Sequence, residues 1–238
     1  YVTAYEQNLH FQQFFKVLEL MGKDYAKDLV HVNYGWVRME DGSMSTRKGT
    51  AVELKDLINK AIEKSLNIIE DKNSELENKE EVASIVGIGS IIFAALKNNR
   101  IKDMVFSWDS ALNFEGESAP YVQYTHARCS SVLSKVEISL YGEADFSTLD
   151  NADASKVITL LRDFPNVIKN AAERYEPSLI TRYSIELAKA FNKYYFEHRI
   201  IDDDGDDKVR ARLILTKCTR QVIKTALYLI GVKAPDKM

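Results

Sequence analysis

From Glu53 to the end, the apolar residues of this chain recur with a period near 3.6, and this regularity confines most of it to helix. Leu54, Leu57, Ile58, Ala61 and Ile62 stripe a first helix. The stretch 82–96 is apolar almost throughout, and its Gly87 and Gly89 leave room for a neighbouring helix to cross closely. Further helices are predicted over about 120–138, 154–173, 178–200 and 207–230, with Pro120 in a first turn and Gly231 as the last stop. Between them, 71–80 reads as a polar connector and 104–119 as irregular chain. The acidic run from Asp202 to Asp207 reads as a solvated turn whose final Asp207 caps the last helix, and no metal is assigned to it.

The first fifty residues follow a different rule. Tyr1 to Ala4 is β-prone, and Phe11, Phe14, Phe15 and Leu18 mark a helix that Gly22 stops. Val30-His31-Val32 opens a second strand running through Gly35 to Trp36 and Val37. Strand, helix and strand in that order form the tail of an α/β layer. The expected fold is therefore mostly α, a short α/β remnant followed by a helical bundle.

Composition narrows the functional classes. The 238 residues are 45% hydrophobic and 28% charged, as in an ordinary globular protein. No apolar run of about 18 residues is present, so no membrane span is expected. The two cysteines, Cys129 and Cys218, fit no zinc or redox spacing, which suits a reducing cytoplasm. A net charge of -3 excludes whole-surface attraction to nucleic acid but leaves room for a local basic face. The strand-like opening carries neither an initiator Met nor a secretory leader, so the sequence is read as a piece of a longer protein.

Three patterns carry chemistry. The stretch Gly-Ser-Met-Ser-Thr-Arg-Lys-Gly at 42–49 supplies Ser43, Ser45, Thr46, Arg47 and Lys48 between two glycines. An exposed polar turn has this composition, and so does a loop that closes on phosphates, with cations and hydroxyls as donors. Its place after a strand and before a helix is where ligands of open α/β sheets collect. Gln7, His10 and Gln13, spaced by three, fall on one helical face and suit either capping or contacts to a polar substrate. In Pro-Tyr-Val-Gln-Tyr-Thr-His-Ala-Arg, Tyr121, then Tyr124 or Thr125, then Arg128 share a face. An aromatic ring and a planar guanidinium together suit an unstacked nucleobase, although tyrosines at this spacing also build cores. Tyr194 and Tyr195 offer the same chemistry, and Lys208, Arg210, Arg212, Lys217, Arg220 and Lys224 make the last helix basic. Nothing pairs a Ser or Cys nucleophile with a His base.

These segments resemble arginyl-tRNA synthetases. Met-Ser-Thr-Arg-Lys-Gly, preceded by Leu-Val-His-Val-Asn-Tyr-Gly-Trp-Val, is similar to the class I signature loop written Lys-Met-Ser-Lys-Ser. Glu-Gln-Asn-Leu-His-Phe resembles the family segment before it, and Phe-Glu-Gly-Glu-Ser-Ala-Pro-Tyr-Val-Gln-Tyr-Thr-His-Ala-Arg the opening helix of the DALR-type anticodon-binding domain. The closing Gly-Val-Lys-Ala-Pro-Asp-Lys-Met is similar to the family's Ala-Pro-Glu-Arg-Met ending.

The resemblance implies a C-terminal remnant of a Rossmann-type catalytic domain over 1–52, a helical stem over 53–105, and an α-helical anticodon-binding domain over 106–238. By position it implies Gln7 for substrate arginine, His10 for the ATP nucleoside, and Met44, Ser45, Arg47 and Lys48 for ATP and its phosphates. Ser43 and Thr46 replace both signature lysines, so Arg47 or Lys48 supplies the charge. Tyr121, Arg128, Tyr195 and Met238 match positions around the tRNA anticodon. The implied substrates are arginine, ATP with Mg2+ and tRNA(Arg), with no tightly bound cofactor, in a cytoplasmic monomer. The second class I signature, His-Ile-Gly-His, has no counterpart here, so the chain is not expected to aminoacylate alone. A stand-alone RNA-binding or scaffolding protein derived from a synthetase would need only the tyrosine–arginine face. A cysteinyl synthetase is disfavoured because its zinc ligands are missing.

Overall fold

The computed structural model describes residues 1–39, 53–203 and 205–238. Strand β1 (Val2–Ala4) pairs in parallel with β2 (Val32–Tyr34), Val2 opposite Val32. A parallel pair needs a crossover, which helix α1 (Asn8–Leu20) supplies. Phe11 is the residue of α1 that is buried, with Tyr1 at 5.1 Å and the His31 ring stacked at 4.5 Å. Gly22, at φ +70°, ends the helix as its sequence position predicts, with the Lys23 N–H turned back to the Leu18 carbonyl at 3.1 Å.

The second strand does not run on through Gly35. There the N–H of Gly35 donates to the Arg100 carbonyl at 2.8 Å, and a Cβ would stand 2.5 Å from the Lys102 backbone. The chain is thereby redirected, and β3 (Val37–Met39) pairs in parallel with β4 (Met104–Phe106) instead. The stretch read as irregular therefore contains a strand and the short helix α4 (Trp108–Ala111). Three residues are too few to show a period, and β4 exists because β3 offers it an edge.

Helices α2 (Leu54–Lys72) and α3 (Lys79–Lys97) pack side by side. The expected close crossing is present: a Cβ on Gly87 would lie 2.8 Å from the Ala61 backbone. Ile69, Leu76, Val82, Ala83 and Val86 form their core, with Phe114 and Met238 packed against it.

The larger core is built by α3 together with α5 (Ala119–Ser134), α6 (Ala152–Glu173), α7 (Ser178–Glu197) and α8 (Asp206–Leu229). Phe93, Val122, Phe164, Leu187, Phe191, Leu213 and Ile223 are buried in it. The Ser118 and Asn151 side chains cap α5 and α6, accepting from Tyr121 N–H and Ala154 N–H. Helix α5 stops at Ser134 rather than near 138, because Val136, Ile138 and Leu140 alternate with polar residues and lie on the core as non-helical chain. Helix α7 stops at Glu197, where His198 turns extended and its ring meets Asp153 at 3.3 Å.

The last helix is capped differently from expectation. Gly205 holds the cap position, while Asp206 and Asp207 stand in the first turn, where carboxylates favour the positive end of the helix dipole. Gly231, at φ +78°, closes α8 as read from sequence, with the Val232 N–H bonded to the Leu227 carbonyl. Among the described residues no helix is long and apolar enough to cross a membrane.

Candidate nucleic-acid interface

Helices α5 and α7 pack against each other, and the face they share is set by helical spacing. Tyr124 and Arg128 are four apart on α5, and Asn192 and Tyr195 three apart on α7, so each pair projects together. The Arg128 guanidinium carbon lies 4.9 Å from the Tyr124 ring centre and 5.0 Å from that of Tyr195. A cation held between two ring faces gains from both quadrupoles. Arg128 Nη1 donates to Asn192 Oδ1 at 2.5 Å, and Asn192 Nδ2 donates in turn to Thr125 Oγ1 at 2.9 Å. The guanidinium plane is thus fixed, and among the described residues Nη1 is its hydrogen-bonded atom. Tyr124 and Tyr195 remain 42% and 39% exposed, so the outer sides of the stack are accessible.

The chain end forms the floor of this face. Gln123 Nε2 donates to the Lys233 carbonyl at 2.7 Å, and His126 Nδ1 donates to that of Pro235 at 2.8 Å. Arg220 Nη2 donates to Asp236 Oδ1 at 2.6 Å, and the Ser130 hydroxyl donates to the same atom at 2.9 Å. Arg220 beside it holds the Asp236 carboxyl below the usual carboxylate range. Burial pushes the His126 imidazole the other way from protonation, to below its ordinary value. Beyond this clasp, Met238 packs on the α2–α3 core, and its backbone oxygen accepts from Asn73 Nδ2 at 3.3 Å. Two adjoining clefts meet here, both lined by Asn73, Tyr124, Arg128 and Met238.

Tyr121, Arg128, Tyr195 and Met238, singled out from sequence, therefore lie in one region, with Tyr121 lining one cleft while partly packed on the main core. Of the alternatives at the middle position, Tyr124 is exposed and Thr125 is buried. Tyr194 does not belong to the face. It is fully buried behind Tyr195, and burial pushes its hydroxyl up to about 12. The basic last helix also divides. Arg212 is buried and paired with Asp202, Arg210 donates to the Ser139 and Glu143 carbonyls, and Arg220 holds the tail, while Lys217 and Lys224 are exposed. Asn192 was missed, although its position three before Tyr195 was signal enough. The tail's partners Gln123, His126 and Ser130 carried no such signal, since their ligands are backbone groups and a carboxylate over a hundred residues away.

At the other end, Gln7 precedes α1 at the carboxyl end of β1, and His10 lies one turn on, stacked at 6.3 Å on Phe14. Both are exposed, as is Gln13. Asn33 Nδ2 donates to Asn8 Oδ1 at 2.7 Å, and Arg100 Nη1 donates to the Asn33 carbonyl at 2.5 Å, tying this α/β part to the helices. Met44, Ser45, Arg47 and Lys48 lie outside the described residues.

Comparison with known proteins agrees with both ends of the molecule. The family model for the class I (R) tRNA synthetase catalytic domain matches residues 1–108, and that for the DALR anticodon binding domain matches 122–238. Arginine–tRNA ligases of Halothermothrix orenii and Alkaliphilus metalliredigens are 56% and 50% identical, over 100% of this chain and 42% of their own length. The chain thus spans about two fifths of the curated relatives it matches. The arginyl-tRNA synthetase structure from Thermus thermophilus superposes with a TM-score of 0.88 at 30% identity, covering 100% of this chain and 40% of that one. The Plasmodium falciparum enzyme gives 0.84 at 22% identity, over 100% and 41%, a likeness of fold. The two family models together mark the chain as part of a class I aminoacyl-tRNA synthetase with a DALR anticodon-binding domain. Within that class, the chain belongs to the arginyl-tRNA synthetase family.

Proposed function

We propose that the chain serves arginine–tRNA ligation, in which the arginine carboxylate attacks the α-phosphate of ATP and pyrophosphate leaves, and the terminal ribose hydroxyl of tRNA(Arg) then takes the arginyl group from the adenylate as AMP leaves. Catalysis of this kind rests on positioning and on stabilising phosphate charge, not on side-chain acid–base steps. In this reading residues 1–52 complete the catalytic domain, 53–105 form the stem and 106–238 read the anticodon. Gln7 faces arginine, His10 the ATP nucleoside, and Met44, Ser45, Arg47 and Lys48 the phosphates of magnesium-bound ATP. The protein works as a cytoplasmic monomer.

The observation that carries the anticodon assignment is Arg128, held between the Tyr124 and Tyr195 rings in the lining of a cleft that Met238 also lines. A base can stack on the outer ring while a free guanidinium donor meets its edge or phosphate. The test is binding of an arginine-accepting tRNA transcript and of one altered only in its anticodon. A preference of tenfold or more, lost in Arg128→Ala, is the expected result. Equal binding of both transcripts by the unaltered chain would refute the assignment.

A further inference from the structure

We infer that the RNA site has a second wall, in which Lys72 and Phe114 hold a nucleotide flanking the bases bound at Arg128. The inference rests on the anticodon reading above. A cleft of about 790 Å³ runs from the Arg128 stack to the C-terminal end of α2, within the ~300–1,000 Å³ usual for ligand sites. On one side stand Tyr121, Tyr124, Arg128 and Asn192; on the other stand Ile68, Ile69, Lys72 and Phe114, with Met238 also in its lining.

The far wall repeats the chemistry of the near one with a different cation. Lys72 Nζ sits 5.3 Å from the centre of the Phe114 ring. Phe114 is half-buried against the α2–α3 core and also lines the cleft, so packing holds a ring that is still partly accessible there. Lys72 is exposed, and among the described residues no carboxylate pairs with it, whereas Lys79 close by in sequence is paired with Glu70. Glu115 is the carboxylate in the lining. An ammonium on a flexible stem binds phosphate as a point charge, and a fixed ring takes a base face, so the pair suits one unpaired nucleotide of single-stranded RNA. The cleft is continuous with the Arg128 stack, which makes the occupant the nucleotide next to the bases bound there.

The experiment titrates a fluorescent anticodon stem–loop of an arginine-accepting tRNA with the chain across a potassium chloride series. Lys72→Ala should weaken binding about threefold to tenfold and flatten the log–log salt dependence by about one phosphate contact, while Lys72→Arg restores both. Phe114→Ala should weaken binding to a similar extent and Phe114→Tyr should not, with thermal unfolding of each variant separating stacking from folding. Unchanged affinity and slope in Lys72→Ala, alongside loss of anticodon preference in Arg128→Ala, would overturn the second wall and leave the anticodon reading intact. Weaker binding with an unchanged slope would also overturn it, since the lysine would then act structurally. Absence of any anticodon preference in the unaltered chain would overturn the anticodon reading and this inference with it.

Discussion

The buried imidazole of His126 donates from Nδ1 to the carbonyl oxygen of Pro235 at 2.8 Å, while its Nε2 finds no hydrogen-bond partner among the described residues. A carbonyl can only accept, so the proton sits on Nδ1 and the neutral ring is the one that fits. Protonation would place a charge in a buried site whose nearest carboxylate, Asp236, is 4.0 Å away and already engaged by Arg220. Because the folded value lies below the ordinary one near 6.5, the unfolded chain takes up a proton first as pH falls. Stability is therefore fully kept above about 6.5 and declines below it. Limited proteolysis or hydrogen exchange of the tail between pH 7.5 and 5 should show it loosening with acid, and His126→Gln should flatten that response. A tail equally protected at both ends of the range would count against this account.

Arg128→Lys keeps the charge but not the plane. A lysine has no planar group to place between two rings and cannot keep the single bond from Nη1 to Asn192 in the same geometry. RNA affinity should fall about tenfold, or roughly 1.4 kcal/mol, with little change in thermal stability. Asn192→Ala should do less, since the rings still hold the guanidinium. Fluorescence anisotropy with the same stem–loop decides the order, and a lysine variant that binds as well as the parent would show that charge alone suffices.

Tyr194 and Tyr195 make a controlled pair. The Tyr194 hydroxyl is buried with no hydrogen-bond partner among the described residues, so Tyr194→Phe removes a desolvation cost and should leave stability unchanged or raise it by about 1 kcal/mol. RNA binding should not change. Tyr195→Ala should do the reverse, weakening RNA binding while the fold tolerates the loss of a 39% exposed side chain. Denaturant midpoints of the two variants check the first half, and binding titrations the second.

Gly87→Ala should destabilise by about 1–3 kcal/mol. The added methyl would stand 2.8 Å from backbone atoms of Ala61 and Ile62, and backbone cannot move aside as a side-chain end can. Calorimetric melting of the variant is the check, and an unchanged melting temperature would mean that the two helices separate without penalty.

The helical two-thirds was legible because long segments bury one face each, and a period repeated over fifteen or more residues survives errors at its ends. Gly87, Gly22 and Gly231 could be placed for the same reason, since each interrupts or ends such a pattern. β4 could not be read, because Met104–Phe106 acquires its conformation from a partner strand sixty-seven residues earlier. Asp207 was misassigned as a cap because several acidic residues in a row offer equal candidates, and the choice falls to the backbone at Gly205. Within the site, Tyr121 and Arg128 were reachable from spacing and Tyr195 from the family resemblance, but the burial of Tyr194 next to Tyr195 was not legible. Adjacent residues on a helix differ by about 100° in direction, and only packing tells which points inward.

Helix α3 carries its two glycines two positions apart, so they face directions about 200° from each other. One presses on α2 at Ala61, and the other on Gln123 of α5 and Val232 of the tail. The helix is in effect keyed on both sides, like a shaft with opposed flats. Turning it by a single residue would withdraw both contacts at once, so α2, α5 and the chain's end share one rotational setting. Any motion that carries the cleft relative to the β1–β2 pair must then move these parts together, as one block.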